Sequence, residues 1–193
     1  DATTAANAEI AAITRIDLDH QEYLGETIEE IAAEKAAIIH KGSKVVVAPQ
    51  QDVARRVISG RCRQVGVEPI WVRDDFVIKR DAQIAPMLFG TFRTGRSSYS
   101  NIDLVYMHGE HQFENAAVAI SLAEILQDEG FSISSEEICR GVETARHPGR
   151  LEYQGRYLFD GAHNIGGAKA LAEYLDEFEK RPITLIFGAM RDK

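Results

Sequence analysis

Apolar residues in the first third of the chain change repeatedly between a strand-like and a helix-like spacing. Residues 10–16 form a β-like run, and short apolar runs follow at 44–48 and 69–72. Between them, the apolar positions of residues 28–39 recur at the spacing of one helical face, and residues 52–65 also have a helical pattern. Strands that alternate with helices in this way predict an α/β fold with a parallel sheet.

The middle of the chain has a different pattern. Residues 76–79, 87–93 and 99–106 are β-like, and glycine-containing breaks separate them. We expect an antiparallel meander on the edge of the sheet. A helix is predicted over residues 113–128, and a capping box of Ser134 and Glu137 then begins a shorter helix.

The pattern breaks at residues 146–150, where a proline forces the residue before it to be extended. We place a domain boundary there, which gives a first domain of residues 1–147 and a second of residues 148–193. The second begins with a predicted hairpin at 151–159 and a helix whose apolar stripe ends at Phe178. A buried strand is predicted at 183–187, so this part has the pattern of another α/β domain.

Lys35 falls in the middle of the apolar face of the first predicted helix, which a capping box of Thr27 and Glu30 begins. A lysine at this position is out of register with its neighbours, and local rules fail most often at functional sites. Burial disfavours the charged form of a lysine, and a neutral amine can form a Schiff base, act as a base or add carbon dioxide to become a carbamate. The alternative is that the side chain extends along the helix and keeps its ammonium group in water.

Composition narrows the class of protein. Of the 193 residues, 45% are hydrophobic and 27% are charged, which is typical of a globular protein, and the formal charge of −8 argues against a general nucleic-acid surface. No apolar run has transmembrane length, and no signal peptide begins the chain. Cys62 and Cys139 have neither zinc-site nor disulfide spacing, so a cytoplasmic location is expected. The chain begins without methionine and stops just after a strand-like run, so we expect a piece of something longer.

Polar residues that suit a nucleotide lie near the predicted strand and helix ends. Asp160 follows a strand and precedes a helix, at the edge of an open α/β sheet where ligands bind, and it can accept hydrogen bonds from ribose hydroxyls. A helix cap with a loop glycine is an equally good explanation of the same residues. Arg150 can bind a phosphate through its guanidinium group, although a surface salt bridge is the simpler alternative for this residue. Asn115 can contact an adenine edge, although a polar residue in the first turn of a helix is common without any such role.

The histidines divide into one candidate and several ordinary ones. His20 follows a strand and has acidic neighbours, which suits a metal ligand or a catalytic group, or else a simple hydrogen bond to a carboxylate. We expect His40, His108 and His147 to be solvated or turn residues.

Four stretches of the chain occur in the order and spacing of one known family. They are ITRIDLDHQEYLGETIEEIAAEKAAII, GEHQFENAAVAISLAEIL, HPGRLE, and DGAHN followed by LIFGAMRDK. Together they resemble the folylpolyglutamate synthase/dihydrofolate synthase family of the Mur ligase superfamily, over essentially the whole chain. The resemblance implies a Mur-ligase-like central ATPase domain, with a mixed sheet and an antiparallel edge, followed by the start of a Rossmann-like C-terminal α/β domain. It also implies a ligase that uses ATP to activate a folate or dihydropteroate carboxylate as an acyl phosphate, which the amine of L-glutamate then attacks.

The resemblance also implies a role for individual residues. His20 would be a ligand of Mg²⁺, and Lys35 would be a carbamylated lysine that helps to position this ion. The other implied contacts are with ATP for Asn115, Arg150 and Asp160, with the phosphates or glutamate for His163, and with the pterin substrate for Asp1 and Ala2. The implied cofactor is Mg²⁺, with ATP as a substrate, and we expect a monomer that binds small molecules and neither nucleic acid nor membrane.

The chain departs from the family in several places. The phosphate-binding Gly-x-x-x-x-Gly-Lys-Ser/Thr loop is absent, as are the acidic Mg²⁺ ligand and most of the C-terminal domain, so we expect these 193 residues alone to be inactive in glutamate ligation. His147, Ile165 and Ala37 stand where the family usually has Trp, Pro and Gly, which leaves the substrate preference open. The alternatives are a Mur-type cell-wall amino-acid ligase and a non-catalytic nucleotide-binding module.

Overall fold

A parallel sheet of three strands forms the centre of the first part of the chain. The computed structural model describes residues 5, 7–19, 24–73, 77–84, 87–179 and 182–188. Strands β1 (Ile10–Ile13), β2 (Lys44–Val47) and β3 (Ile70–Trp71) pair in that order, and both pairs are parallel. Helix α1 (Ile28–Ala36) connects the first two strands and helix α2 (Asp52–Val65) connects the second and third. The predicted alternation of strands and helices is therefore confirmed.

The two faces of this sheet belong to different hydrophobic cores. Val45 and Val47 pack with the buried residues of α1 and α2, whereas Val46 packs with the helix and sheet on the other side. Successive residues of a strand point to opposite faces, so a run of three valines supplies both cores. The capping box at Thr27 and Glu30 is present at the start of α1, as predicted.

The antiparallel meander consists of β4 (Val77–Ile84), β5 (Met87–Arg93) and β6 (Ser98–Asp103). In the described residues it is a sheet of its own, without a ladder to the parallel strands. Helix α3 (His111–Asp128) packs between the two sheets, where its Phe113 joins Phe92 of β5 and Val46 in one core. Helix α4 (Ser135–Thr144) covers the end of this core and begins with the predicted capping box.

The remaining described residues form a hairpin and a helix. Strands β7 (Glu152–Gln154) and β8 (Tyr157–Phe159) pair antiparallel, and helix α5 (Ile165–Phe178) follows, with Asn164 as its N-cap. Asn164 Oδ1 accepts a hydrogen bond from Gly167 N at 2.8 Å. No helix among the described residues has both the length and the apolar character needed to cross a bilayer.

Three predictions about local structure are wrong. Residues 183–187 are not a buried strand, because no strand of the described chain pairs with them and Ile186 is 94% exposed. The first strand ends at Ile13 rather than residue 16, because the backbone beyond Ile13 forms hydrogen bonds with the Gln50 side chain instead of a neighbouring strand. The Gln50 amide donates to Thr14 O, and its oxygen accepts from Ile16 N. The first helix ends at Ala36 rather than residue 39.

Candidate nucleotide site

One cavity of about 1010 Å³ lies at the carboxyl ends of the parallel strands. The segment after β1 lines one side, Ala48 and Arg73 line the ends of β2 and β3, and α1, α3 and α5 close the other sides. The carboxyl edge of a parallel sheet is where α/β proteins bind ligands, since the loops there point away from the packed core. The geometry therefore makes this cavity the candidate site.

Four residues predicted from separate parts of the sequence line this one cavity: Lys35, Asn115, Arg150 and Asp160. Lys35 belongs to the last turn of α1 and is half-buried. Asn115 lies in the first part of α3, where its side-chain amide donates to Gln112 Oε1 at 3.0 Å. Three further predicted residues, Asp1, Ala2 and His20, lie outside the described residues.

Asp160 fixes the backbone on both sides of the hairpin. Its Oδ2 accepts from Leu151 N at 2.9 Å, and its Oδ1 accepts from Ala162 N at 2.8 Å. These bonds hold the residue after Arg150 in a left-handed conformation, with φ +48° at Leu151, whose side chain is buried. Each carboxylate oxygen can accept a second hydrogen bond, so Asp160 retains the capacity to bind a ligand hydroxyl.

Asp19 joins the segment after β1 to the start of α5. Its Oδ2 lies 3.1 Å from Asn164 Nδ2, which donates to it, and 3.2 Å from His163 Nε2. His163 Nδ1 is 2.7 Å from Gly161 O. The ring of His163 therefore lies between Gly161 and Asp19, and His163 does not line the cavity.

An ion pair between the exposed side chain of Arg73 and the buried carboxylate of Glu114 lies just after β3. Arg73 Nη2 lies 2.7 Å from Glu114 Oε1, and Arg73 has φ +82°. Burial raises the pKa of Glu114, while the charges of Arg73 and Arg15 oppose that shift. Glu114 precedes Asn115 in α3, so the pair holds the loop after β3 against the helix that carries Asn115.

The family model of the Mur ligase middle domain matches residues 1–123. The chain belongs to the Mur ligase family. A dihydrofolate synthase/folylpolyglutamate synthase of Bacillus subtilis is 35% identical over 198 residues, which is the whole of this chain and 46% of that protein. The chain therefore spans less than half the length of this curated relative of the Mur ligase family.

Solved structures of the Mur ligase family agree with this result. A complex of a folylpolyglutamate synthase (FPGS) with AMPPCP and folate has a TM-score of 0.86 and 26% sequence identity to this chain. The match covers 92% of this chain and 44% of the FPGS chain. A folylpolyglutamate synthase of Mycobacterium tuberculosis, solved with ADP and AMPPCP, has a TM-score of 0.78 and 31% identity over 91% of this chain and 41% of its own. The predicted fold class is confirmed, and the relatives named here are folylpolyglutamate or dihydrofolate synthases.

His111, the first residue of α3, also lines the cavity and was not predicted from the sequence. Burial lowers the pKa of its imidazole; the carboxylates of Asp160 and Glu173 oppose that shift, and the charge of Arg150 adds to it. The signal was available, because His111 and Asn115 are four residues apart and share one helical face in this Mur ligase domain.

His108 was also misjudged. It is buried, not solvated, and its ring packs against Tyr153 and Tyr174 at centroid distances of 5.7 and 6.0 Å. These contacts join the end of the antiparallel sheet to β7 and α5, so His108 is an interface residue. A lone histidine before a glycine gives no such indication in sequence.

Among the described residues, no group of three His, Cys, Asp or Glu side chains has the arrangement to hold a metal ion. The described residues of this Mur ligase domain therefore do not form a metal site on their own.

Proposed function

We propose that this chain belongs to an ATP-dependent ligase that joins L-glutamate to the carboxylate of a folate or dihydropteroate. The observation that carries the proposal is the single cavity that Lys35, Asn115, Arg150 and Asp160 line, at the carboxyl edge of a Mur ligase sheet. The relatives named above are synthases of this kind, and one structural relative was solved with both an ATP analogue and folate.

The chemistry assigns a distinct part of ATP to each residue. The Asn115 amide offers a donor and an acceptor to the adenine edge, and Asp160 accepts from a ribose hydroxyl. Arg150 lines the same cavity, where its planar fork of N–H groups suits a phosphate. In the described part of the chain, Arg150 makes no hydrogen bond or ion pair that would compete with a phosphate.

Phosphoryl transfer depends on positioning and charge neutralisation more than on covalent chemistry by the protein. The γ-phosphoryl group passes to the folate carboxylate and ADP leaves, which gives an acyl phosphate. The amine of L-glutamate attacks its carbonyl carbon, the amide forms and inorganic phosphate leaves. We propose that Mg²⁺ accompanies the phosphates, with His20 as a ligand and a carbamate on Lys35 helping to hold the ion, and that His163, Asp1 and Ala2 contact the other substrates.

The boundary between the two domains is proposed at residues 147 and 148. The family match ends at residue 123, α4 ends at Thr144, and the cavity lies between α3 on one side and α5 on the other. We further propose a cytoplasmic monomer that binds neither nucleic acid nor membrane; the net charge of −8 and the free thiols of Cys62 and Cys139 support this.

Two measurements test the proposed function. The first is calorimetric binding of AMPPCP with Mg²⁺ to the 193-residue chain, where Asp160→Asn and Arg150→Ala should weaken binding and Arg140→Ala, on α4 outside the cavity, should not. The second is ligation by a chimera in which the flanking residues of the Bacillus subtilis relative complete the chain.

The chimera should release ADP when given dihydropteroate or a folate together with L-glutamate. Release of ADP with a muramyl nucleotide instead would support the cell-wall alternative. Absence of nucleotide binding by the chain would contradict the proposed function.

A further inference from the structure

His111 is placed in the cavity by the backbone in front of it. Gly109 has φ +93°, and a Cβ added there would lie 2.8 Å from His111 Cε1 and 2.9 Å from Leu151 Cδ1. The absence of a side chain at Gly109 therefore lets the imidazole lie close to the backbone and next to Leu151. Since α3 begins at His111, its ring and the Asn115 amide lie one turn apart on the face that lines the cavity.

Burial of His111 favours a neutral ring, although the carboxylates of Asp160 and Glu173 oppose this effect. Burial lowers the pKa of the imidazole, and the charged groups that act on it are Asp160, Arg150 and Glu173. A neutral imidazole has one N–H donor and one nitrogen acceptor. In the part of the chain that the structure describes, neither ring nitrogen has a hydrogen-bond partner, so a half-buried polar group is left for a ligand to satisfy.

We propose that His111 is a further nucleotide-binding residue, whose neutral imidazole forms a hydrogen bond with a ribose hydroxyl of ATP. The proposal rests on the proposed function and refines it. A neutral ring adds little to phosphate binding, for which Arg150 carries the charge. The adenine base is proposed to lie at Asn115, one turn farther along the helix, so the ribose is the part of ATP that remains for His111. Asp160 lines the same cavity and its charge acts on His111, so a sugar whose hydroxyls both donate and accept can form hydrogen bonds with both side chains.

The experiment compares ATP with 2′,3′-dideoxy-ATP, which lacks both ribose hydroxyls, as ligands of the 193-residue chain. The variant His111→Phe keeps an aromatic ring of similar shape and removes both nitrogens, whereas His111→Gln keeps a donor and an acceptor. His147→Phe is the matched control, because His147 is exposed and lies outside the cavity lining.

We expect His111→Phe to bind ATP about three- to tenfold more weakly than the wild type, the loss that one neutral hydrogen bond accounts for. Its affinity for 2′,3′-dideoxy-ATP should be unchanged, and His111→Gln should retain most of the preference for ATP. Asn115→Ala should weaken both nucleotides equally, because it acts on the base. A second measurement needs no substitution: the ring ¹⁵N resonances of His111 should shift with ATP and not with the dideoxy nucleotide.

Two results would overturn the proposal and leave the proposed function intact. One is an undiminished preference of His111→Phe for ATP over the dideoxy nucleotide. The other is equal weakening of both nucleotides in His111→Phe, which would mean that the ring only packs against the ligand. If the wild-type chain bound neither nucleotide, the proposed function would fail and this proposal with it.

Discussion

Replacing Gly166 by alanine should force apart the two walls of the cavity. Gly166 lies in the first turn of α5, and Asp17 lies in the segment after β1. A Cβ added at Gly166 would clash with Asp17 Oδ2 and would lie 3.1 Å from Asp17 Cγ, where ordinary contact begins at 3.4 Å. The short aspartate side chain has little room to withdraw, because its Oδ1 accepts from Leu18 N at 3.0 Å.

The size of the effect follows from two opposed terms. Overpacking at a close contact costs about 1–3 kcal/mol, whereas Gly→Ala inside a helix contributes about 0.5–1 kcal/mol of stability. We therefore expect Gly166→Ala to lower the free energy of unfolding by roughly 0.5–2 kcal/mol. Asp17→Ala should remove most of that loss in the double variant, which gives a coupling energy of about 1–2 kcal/mol.

Urea denaturation followed by circular dichroism measures these free energies. Gly141→Ala is the matched control, since Gly141 is in α4 and an added Cβ meets nothing within 4 Å. That control should be stabilised. The reasoning would be refuted if Gly166→Ala were stabilised to the same extent as the control and showed no coupling to Asp17→Ala.

Three more predictions concern separate groups. With ¹³C-labelled bicarbonate, the chain should give a carbamate resonance that Lys35→Arg abolishes and that the control Lys41→Arg, at an exposed lysine, retains. A wild-type chain without this resonance, or loss of the resonance in both variants, would contradict a carbamate on Lys35. Tyr99→Phe should lower the unfolding free energy by about 1–2 kcal/mol, because the buried Tyr99 hydroxyl donates to Glu124 Oε1 at 2.9 Å. Burial and Glu124 raise the pKa of Tyr99 to about 12, so the wild type should lose stability as the pH rises from 10 to 12. Tyr99→Phe should lose less over this range, and the remaining loss should come from Tyr153 and Tyr174, whose pKa values burial also raises. The effects of Asp19→Ala and Asn164→Ala on the unfolding free energy should be coupled by about 0.5–1 kcal/mol, because the hydrogen bond between the two side chains is partly exposed. Purely additive effects in the double variant would contradict a stabilising role for this hydrogen bond.

Local chemistry explains why much of the fold could be predicted. The capping boxes at Thr27 and Ser134 form because both partners lie within one helical turn, and neither needs the rest of the molecule. The run of valines in β2 is apolar at every position because both of its faces are covered, which distinguishes it from an exposed strand.

The misses depend on partners that are distant in sequence. A strand at residues 183–187 needs a neighbour to take its backbone bonds, and its apolar residues do not carry that information. The contact of Asp19 with His163 joins residues 144 positions apart, and His108 becomes buried only because Tyr153 and Tyr174 pack on it. The family motifs identified Lys35 and Asp160 as site residues, and both line one cavity in the structure. The contacts that support the walls of this cavity form only in the folded chain.

A crystal structure of the 193-residue chain with AMPPCP and Mg²⁺ would test the central claim most directly. The account predicts the nucleotide in the cavity between α3 and α5, with the base at Asn115, the ribose at Asp160 and the phosphates at Arg150. A nucleotide bound elsewhere on the chain, with this cavity filled only by solvent, would contradict it.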